Sequence, residues 1–272
     1  GHHKPKGYHY PSPDTHSLLT NWNKYTFRTP AVRVGTLLPI HGEHPDMKGG
    51  GSDEAKRRAG EHAARQVEDG TVVGLGTGST AAHAIATLGD RVDSGLEIQG
   101  IPTSFQARAN AREAGIELTT LDVATPDLAI DGADQFADGA LIKGGGAAHA
   151  REKIVDSAAD RFLVVADPTK EADVLDHPVP VEILPDARTP VAASLESLGG
   201  SPELRAAERK DGPVVTDNGN LVLDCDFGAI DDPSSLATAL SAIPGVVEHG
   251  LFVGLADEIH VGTADGVRVV EK

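Results

Sequence analysis

The feature that most restricts what this chain can fold into is a repeated succession of short apolar run, glycine- or aspartate-bearing turn, and helical pattern. It is clearest at Thr71-Val72-Val73-Gly74-Leu75, which reads as a buried strand, followed by a glycine-rich turn and an alanine-rich helix over 80–88. Upstream, Ala55, Ala59, Ala63 and Val67 recur every four residues, and Gly70 marks the helix stop. Downstream, a strand at 96–102 precedes a helix at 104–114. Strands at 127–130 and 140–143 precede a helix at 147–158, and a strand follows at 161–166. Such alternation predicts an α/β fold with a largely parallel sheet. The last third reads differently. It has a strand at 179–184, a helix at 189–198, hairpin arms at 214–216 and 220–224 around Asp217-Asn218-Gly219, and a helix at 233–243. Strands at 258–262 and 267–271 then flank Asp265-Gly266. This pattern predicts a smaller α+β lobe.

Composition excludes several function classes. The chain of 272 residues carries a formal net charge of −17, which repels a phosphate backbone, so no nucleic-acid partner is expected. An anionic ligand then needs a local positive site. Lysines are scarce: after residue 47 they are Lys48, Lys56, Lys143, Lys153, Lys170, Lys210 and Lys272. High acidity with little lysine suits concentrated salt, where screening removes self-repulsion, and a halophilic source is the expectation. No apolar run reaches the roughly 18 residues of a membrane span, so no membrane partner is expected. A single cysteine, Cys225, excludes a disulfide framework within the chain and thiolate zinc sites. With no signal-like apolar stretch at 1–11, the cytoplasm is the expected location. Residues 1–46 differ from the rest: they hold Trp22, Tyr8, Tyr10 and Tyr25, and also His2, His3, His9, His16, His41 and His44. No helical or strand period runs through them. They are expected to be a disordered extension, tag or misplaced start, or alternatively a partner-binding arm, with the folded protein beginning near Met47.

Four motifs carry chemistry. Gly74-Leu75-Gly76-Thr77-Gly78-Ser79-Thr80 joins strand to helix. Its glycines aim amides inward, the helix adds its positive end, and Thr77, Ser79 and Thr80 add hydroxyls, which together can hold a phosphate. It lacks the lysine of a Walker A loop and the third glycine of a dinucleotide fingerprint. A turn that merely packs helix on strand is the alternative. Asp131-Gly132-Ala133-Asp134 follows the apolar Leu128-Ala129-Ile130, so its two carboxylates fall at a strand's carboxyl end. There they could hold sugar hydroxyls or move protons, or simply form an acidic surface turn. Lys143-Gly144-Gly145-Gly146 ends the next strand, and Glu152 stands on the second turn of the following helix. A lysine and a helix N-terminus beside one carboxylate meet the needs of an enediolate, although Glu152 could equally be a solvated charge paired with Lys153 or Arg151. Asp167-Pro168-Thr169-Lys170 sets a further lysine after a strand. The histidines after Met47 lack ligand spacing, so no metal site is expected.

Across 52–272 the chain resembles the A-type ribose-5-phosphate isomerase family. The resemblance rests on Gly76-Thr77-Gly78-Ser79-Thr80, Ile101-Pro102-Thr103-Ser104-Phe105-Gln106, Asp131-Gly132-Ala133-Asp134, Ile142-Lys143-Gly144-Gly145-Gly146-Ala147-Ala148 and Arg151-Glu152-Lys153-Ile154-Val155. It continues through Pro180-Val181-Glu182, Thr216-Asp217-Asn218-Gly219-Asn220 and Gly250-Leu251-Phe252-Val253-Gly254-Leu255-Ala256-Asp257. The resemblance implies a Rossmann-like sheet with helices on both faces, over 47–178 and 250–272, and a smaller lobe over 179–249. It implies that Glu152 is the proton-shuttling base. Thr77 to Thr80, Asp131 to Asp134, Lys143 to Gly146 and Lys170 become the substrate-contacting segments. A small sugar phosphate is the implied partner, with no cofactor or metal, in a homodimer or homotetramer of the non-oxidative pentose phosphate pathway. Gln135, His149-Ala150 and Thr169 depart from the family's usual residues and bear on the fine geometry around Glu152 and the phosphate.

Two rival readings share a related fold. A sugar-phosphate-sensing effector domain would need a basic helix-turn-helix, and 1–46 shows no helical period for one. An acyl-CoA transferase would use a glutamate nucleophile. The Lys143-Gly-Gly-Gly segment followed by Glu152 favours the isomerase over both.

Overall fold

The structure is a computed structural model and describes residues 51–271; the expectations for 1–46 lie outside them. The chain begins with α1 (Asp53–Ala64), β1 (Val72–Leu75), α2 (Ser79–Asp93), β2 (Gln99–Pro102), α3 (Phe105–Glu113) and β3 (Glu117–Leu118). It continues with β4 (Leu128–Gly132), β5 (Gln135–Ala137), β6 (Ala140–Ile142), α4 (His149–Ala158) and β7 (Arg161–Ala166). Then come β8 (Val179–Ile183), α5 (Arg188–Ser197), β9 (Ser201–Leu204), β10 (Leu221–Asp226), α6 (Pro233–Ser241), β11 (Val246–His249), β12 (Leu251–Val253), β13 (Glu258–Gly262) and β14 (Val267–Glu271).

Seven strands form the main sheet in the order β14-β13-β7-β4-β1-β2-β3, parallel throughout except for the edge strand β14. Both faces are covered, so its central strands are apolar on both sides. In β7, Leu163 and Val165 point into a core with α1, α2 and α3, and Phe162 and Val164 point into a second core with Leu141 and Phe252. Helix α4 lies on this second face, where a Cβ on Gly74 would stand 2.8 Å from Val155. The α/β expectation, with helices on both faces, is met.

Strand β6, at the predicted strand 140–143, stands outside the strand–helix alternation. It does not join the parallel sheet but forms a three-stranded antiparallel one, β12-β6-β5. The cause is local: Asp138 and Gly139 both adopt positive φ (46° and 74°), the geometry of a two-residue hairpin turn, so β5 folds straight back as β6. In 179–249 a four-stranded antiparallel sheet, β11-β8-β10-β9, packs with α5 and α6. The expected arm at 214–216 is reduced to a single bridge, Val215 with Leu221, and β9 takes the place beside β10. The hairpin of β13 and β14 forms as expected.

Candidate active site

The strand order reverses between β1 and β4, so a crevice opens at their carboxyl ends, where ligands bind in open α/β sheets. The glycine loop after β1 and Asp131 of β4 meet there. A Cβ on Gly76 would fall 2.3 Å from Asp131 Cγ, so only glycine fits. Asp131 is fully buried, and its Oδ1 accepts N–H bonds from Thr77 (3.0 Å) and Gly132 (2.6 Å). The Thr77 hydroxyl is engaged by Thr103 (2.9 Å) and Ser104 (2.7 Å) at the end of β2, so it braces the loop. Gly78 caps α2 with φ 104° and no side-chain cap, and Ser79 is exposed, which leaves the helix's first amides open to an anion.

Lys143 follows β6, and its ammonium is buried. It lies 3.0 Å from Asp131 Oδ2 and 3.4 Å from Glu152 Oε2, and it donates to the Gly132 carbonyl. Burial alone would lower the Lys143 pKa. The carboxylates of Asp131, Glu152 and Asp156 outweigh that and raise it, so the group stays charged. Glu152 is 4% exposed. Burial first, then the Asp131 charge, push its carboxyl up to about 8, against the pull of Lys143. Burial also raises Asp131, with Lys143 and two amides opposing. Helix α4 starts at His149 because Gly144 (φ 105°) and Ala147 (φ 58°) hold the chain in a left-handed turn, so Glu152 stands on the first helical turn and not the second.

The remaining predicted residues take separate places. Asp134 accepts from the Gly145 amide (2.6 Å), so that amide already has a partner, whereas Gly146 is exposed at the crevice rim. Ala133 packs against the second core. Lys170 ends a 3-10 turn at the carboxyl end of β7, the strand beside β4, and is half-buried. Asp167 of that turn accepts the Gly51 amide (3.0 Å), which brings the start of α1, with its buried Lys56, to the same rim.

Sequence reading missed several contributors. Arg205 pairs with Asp224 and donates to the Gly144 carbonyl (2.8 Å), which fixes the glycine turn from the four-stranded sheet. Glu182 accepts from Thr216, Asn218 and Asn220, shaping a turn whose Asp217 accepts the Phe105 amide at the start of α3 (2.7 Å). No local pattern announces these long-range pairs. Asp156, buried beside Asp131, had a signal: it lies four residues after Glu152, on the same helix face. Among the described residues no group of three or more His, Cys, Asp or Glu side chains is arranged to hold a metal ion.

A doubly wound sheet with an anion-ready helix start and a buried carboxyl–lysine–carboxyl cluster at its switch point defines an acid–base enzyme of the α/β class. The comparisons with known proteins narrow this. Residues 99–266 match the family model of ribose 5-phosphate isomerase A (phosphoriboisomerase A). The ribose-5-phosphate isomerase A of Haloarcula marismortui is 72% identical over 223 residues, 82% of this chain and 98% of that one. The same enzyme of Natronomonas pharaonis is 71% identical over 81% of this chain and 98% of its own. The solved ribose 5-phosphate isomerase A of Methanocaldococcus jannaschii superposes with a TM-score of 0.79 at 44% identity, covering 82% of this chain and all of the other. A D-ribose-5-phosphate isomerase solved in complex with phospho-erythronic acid superposes at 0.80 with 42% identity, over 82% of this chain and all of its own. The chain belongs to the ribose 5-phosphate isomerase A family.

Proposed function

We propose that the chain interconverts D-ribose 5-phosphate and D-ribulose 5-phosphate by proton transfer through an enediolate, as a step of pentose phosphate metabolism. The observation that carries this reading is Glu152. It is a buried carboxyl raised to about 8 and set 3.4 Å from a buried ammonium, and a base is strongest in effect when its pKa is near the working pH. Glu152 removes the C2 proton of the open-chain aldose and returns it to C1. Lys143 faces the oxyanion as charge develops, with the Gly144 and Gly146 amides beside it. Asp134 holds sugar hydroxyls and assists the move of the proton between O2 and O1, while Asp131, fully buried with Oδ1 on the Thr77 and Gly132 amides and Oδ2 beside Lys143, holds the ammonium in place. The open amides at Gly78–Thr80, with Lys170, take the phosphate, and buried Lys56 on the adjoining helix is a further candidate. The bound phospho-erythronic acid of the related solved enzyme supports a sugar-phosphate ligand at such a site.

Residues 47–178 and 250–272 form the catalytic domain in this reading, with 179–249 as the smaller lobe, in a homodimer or homotetramer of the cytoplasm. The acidic composition is a salt adaptation. The testing experiment is NMR of ribose 5-phosphate with the protein in D₂O and molar salt after EDTA treatment. Ribulose 5-phosphate with deuterium entering at C1 is expected. No conversion by folded protein, with ribose 5-phosphate still raising its melting temperature, would instead mark a sensor domain.

A further inference from the structure

Four carboxyl oxygens of the buried cluster have no hydrogen-bond donor: both oxygens of Asp156, Oδ2 of Asp131 and Oε2 of Glu152. Lys143 reaches Asp131 Oδ2 at 3.0 Å as an ion pair without hydrogen-bond geometry. Asp156 is 2% exposed on α4, one turn beyond Glu152, and its carboxyl lies within hydrogen-bonding reach of Asp131. Acceptors left without donors at this depth are costly, and two adjoining carboxylates repel. One proton between the two acids removes both problems.

We propose that Asp156 is a positioning residue of the isomerase: a carboxylic acid kept neutral that donates its O–H to Asp131 Oδ2. Asp131 then stays ionised and fixed, with its other oxygen on the Thr77 and Gly132 amides, and it holds the Lys143 ammonium beside Glu152. The proposal rests on the reading of Glu152 as base. Charge supports it. Asp131, Glu152 and Asp156 gather around the ammonium of Lys143, with the Asp134 charge acting on Glu152, and a neutral Asp156 removes one negative charge from the buried set. Burial first, and then the Asp131 charge, push Asp156 well above the usual carboxylate range, with Lys143 opposing and Glu152 adding to the rise. The other flank of α4 meets β8 and β11, which present Glu182, Glu248 and His249, and there Lys153 pairs with Glu248 at 2.7 Å.

The consequence is a switch on the alkaline side. When Asp156 loses its proton, a second anion appears next to Asp131 and one turn from Glu152, and turnover falls. Asp156→Asn keeps a neutral donor and cannot ionise; Asp156→Leu removes the donor. The test uses the full chain. Infrared spectra at neutral pH are expected to show buried protonated-acid carbonyl bands, shifted by deuteration: one that Asp156→Asn abolishes and Glu152→Gln leaves, beside that of Glu152 itself, which only Glu152→Gln removes. Asp156→Asn is expected to keep near-native kcat at neutral pH and to lose the alkaline limb of its pH profile. Asp156→Leu is expected to lower kcat about ten- to hundredfold, the worth of a hydrogen bond to a charged group, with KM little changed. Protonated-acid bands unaltered by Asp156→Asn, or an alkaline limb that persists in it, would overturn the proposal; both readouts stand if the leucine variant does not fold. A Glu152→Gln enzyme with near-native turnover would instead remove the glutamate mechanism, while the infrared result still decides the state of Asp156.

Discussion

Replacing Glu152 by Gln keeps the size of the side chain and removes its capacity to take a proton. A positioned base contributes about 10²–10⁴-fold to rate, which corresponds to about 3–5.5 kcal/mol of barrier. Turnover of Glu152→Gln is therefore expected to fall by that factor. KM should change little, because the proposed phosphate site lies elsewhere, at the start of α2 and at Lys170. The folded protein should not suffer. Glu152 has a folded-state pKa of about 8, above its ordinary 4.5, so the native state binds the extra proton. That contribution to stability is present at low pH and is lost as pH rises from about 4.5 through 8. The glutamine cannot ionise, so the variant's melting temperature should exceed wild type increasingly across that window. In the native enzyme kcat/KM should rise with pH toward 8, as Glu152 ionises. Initial rates at saturating substrate, paired with melting curves from acid to alkaline pH, read both effects. Near-native turnover, or a loss confined to KM, would refute the assignment of the base.

Lys143→Met leaves Asp131 and Glu152 buried without their cation, and breaking such a buried pair costs about 3–5 kcal/mol. Urea unfolding should show the loss, greater at alkaline pH where both acids must ionise, and activity should vanish with it. Gly76→Ala would press a methyl to 2.3 Å from Asp131 Cγ. Overpacking of this kind costs about 1–3 kcal/mol, and turnover should fall along with the melting temperature because Asp131 itself must move. With a net charge of −17, raising salt from millimolar to molar should raise the melting temperature by screening self-repulsion, and an unchanged value would argue against salt adaptation.

The segments that build the site were legible because each is local. A strand end, a glycine turn and a helix start lie within a few residues in 72–80, and the acids of 131–134 directly follow an apolar run. The same locality hid the rest. Arg205 reaches the Gly144 carbonyl across 61 residues, and Thr103 meets Thr77 across 26, and no period in the sequence joins such pairs. Strand β6 stands outside the parallel sheet for a local reason, since Asp138-Gly139 is a hairpin dipeptide that returns the chain on β5.

By itself the sequence determined the succession of strands and helices and the chemistry available at each strand end, because hydrophobic period, glycine freedom and helix capping act over neighbouring residues. The tertiary structure alone decided which of those ends share one crevice. It also decided how deeply the acids lie: Asp131, Glu152 and Asp156 differ little as letters, and their proton affinities part from those of surface carboxyls because folding removes water and sets them around one ammonium. That protonation pattern depends on burial and distance through space, which sequence spacing does not encode.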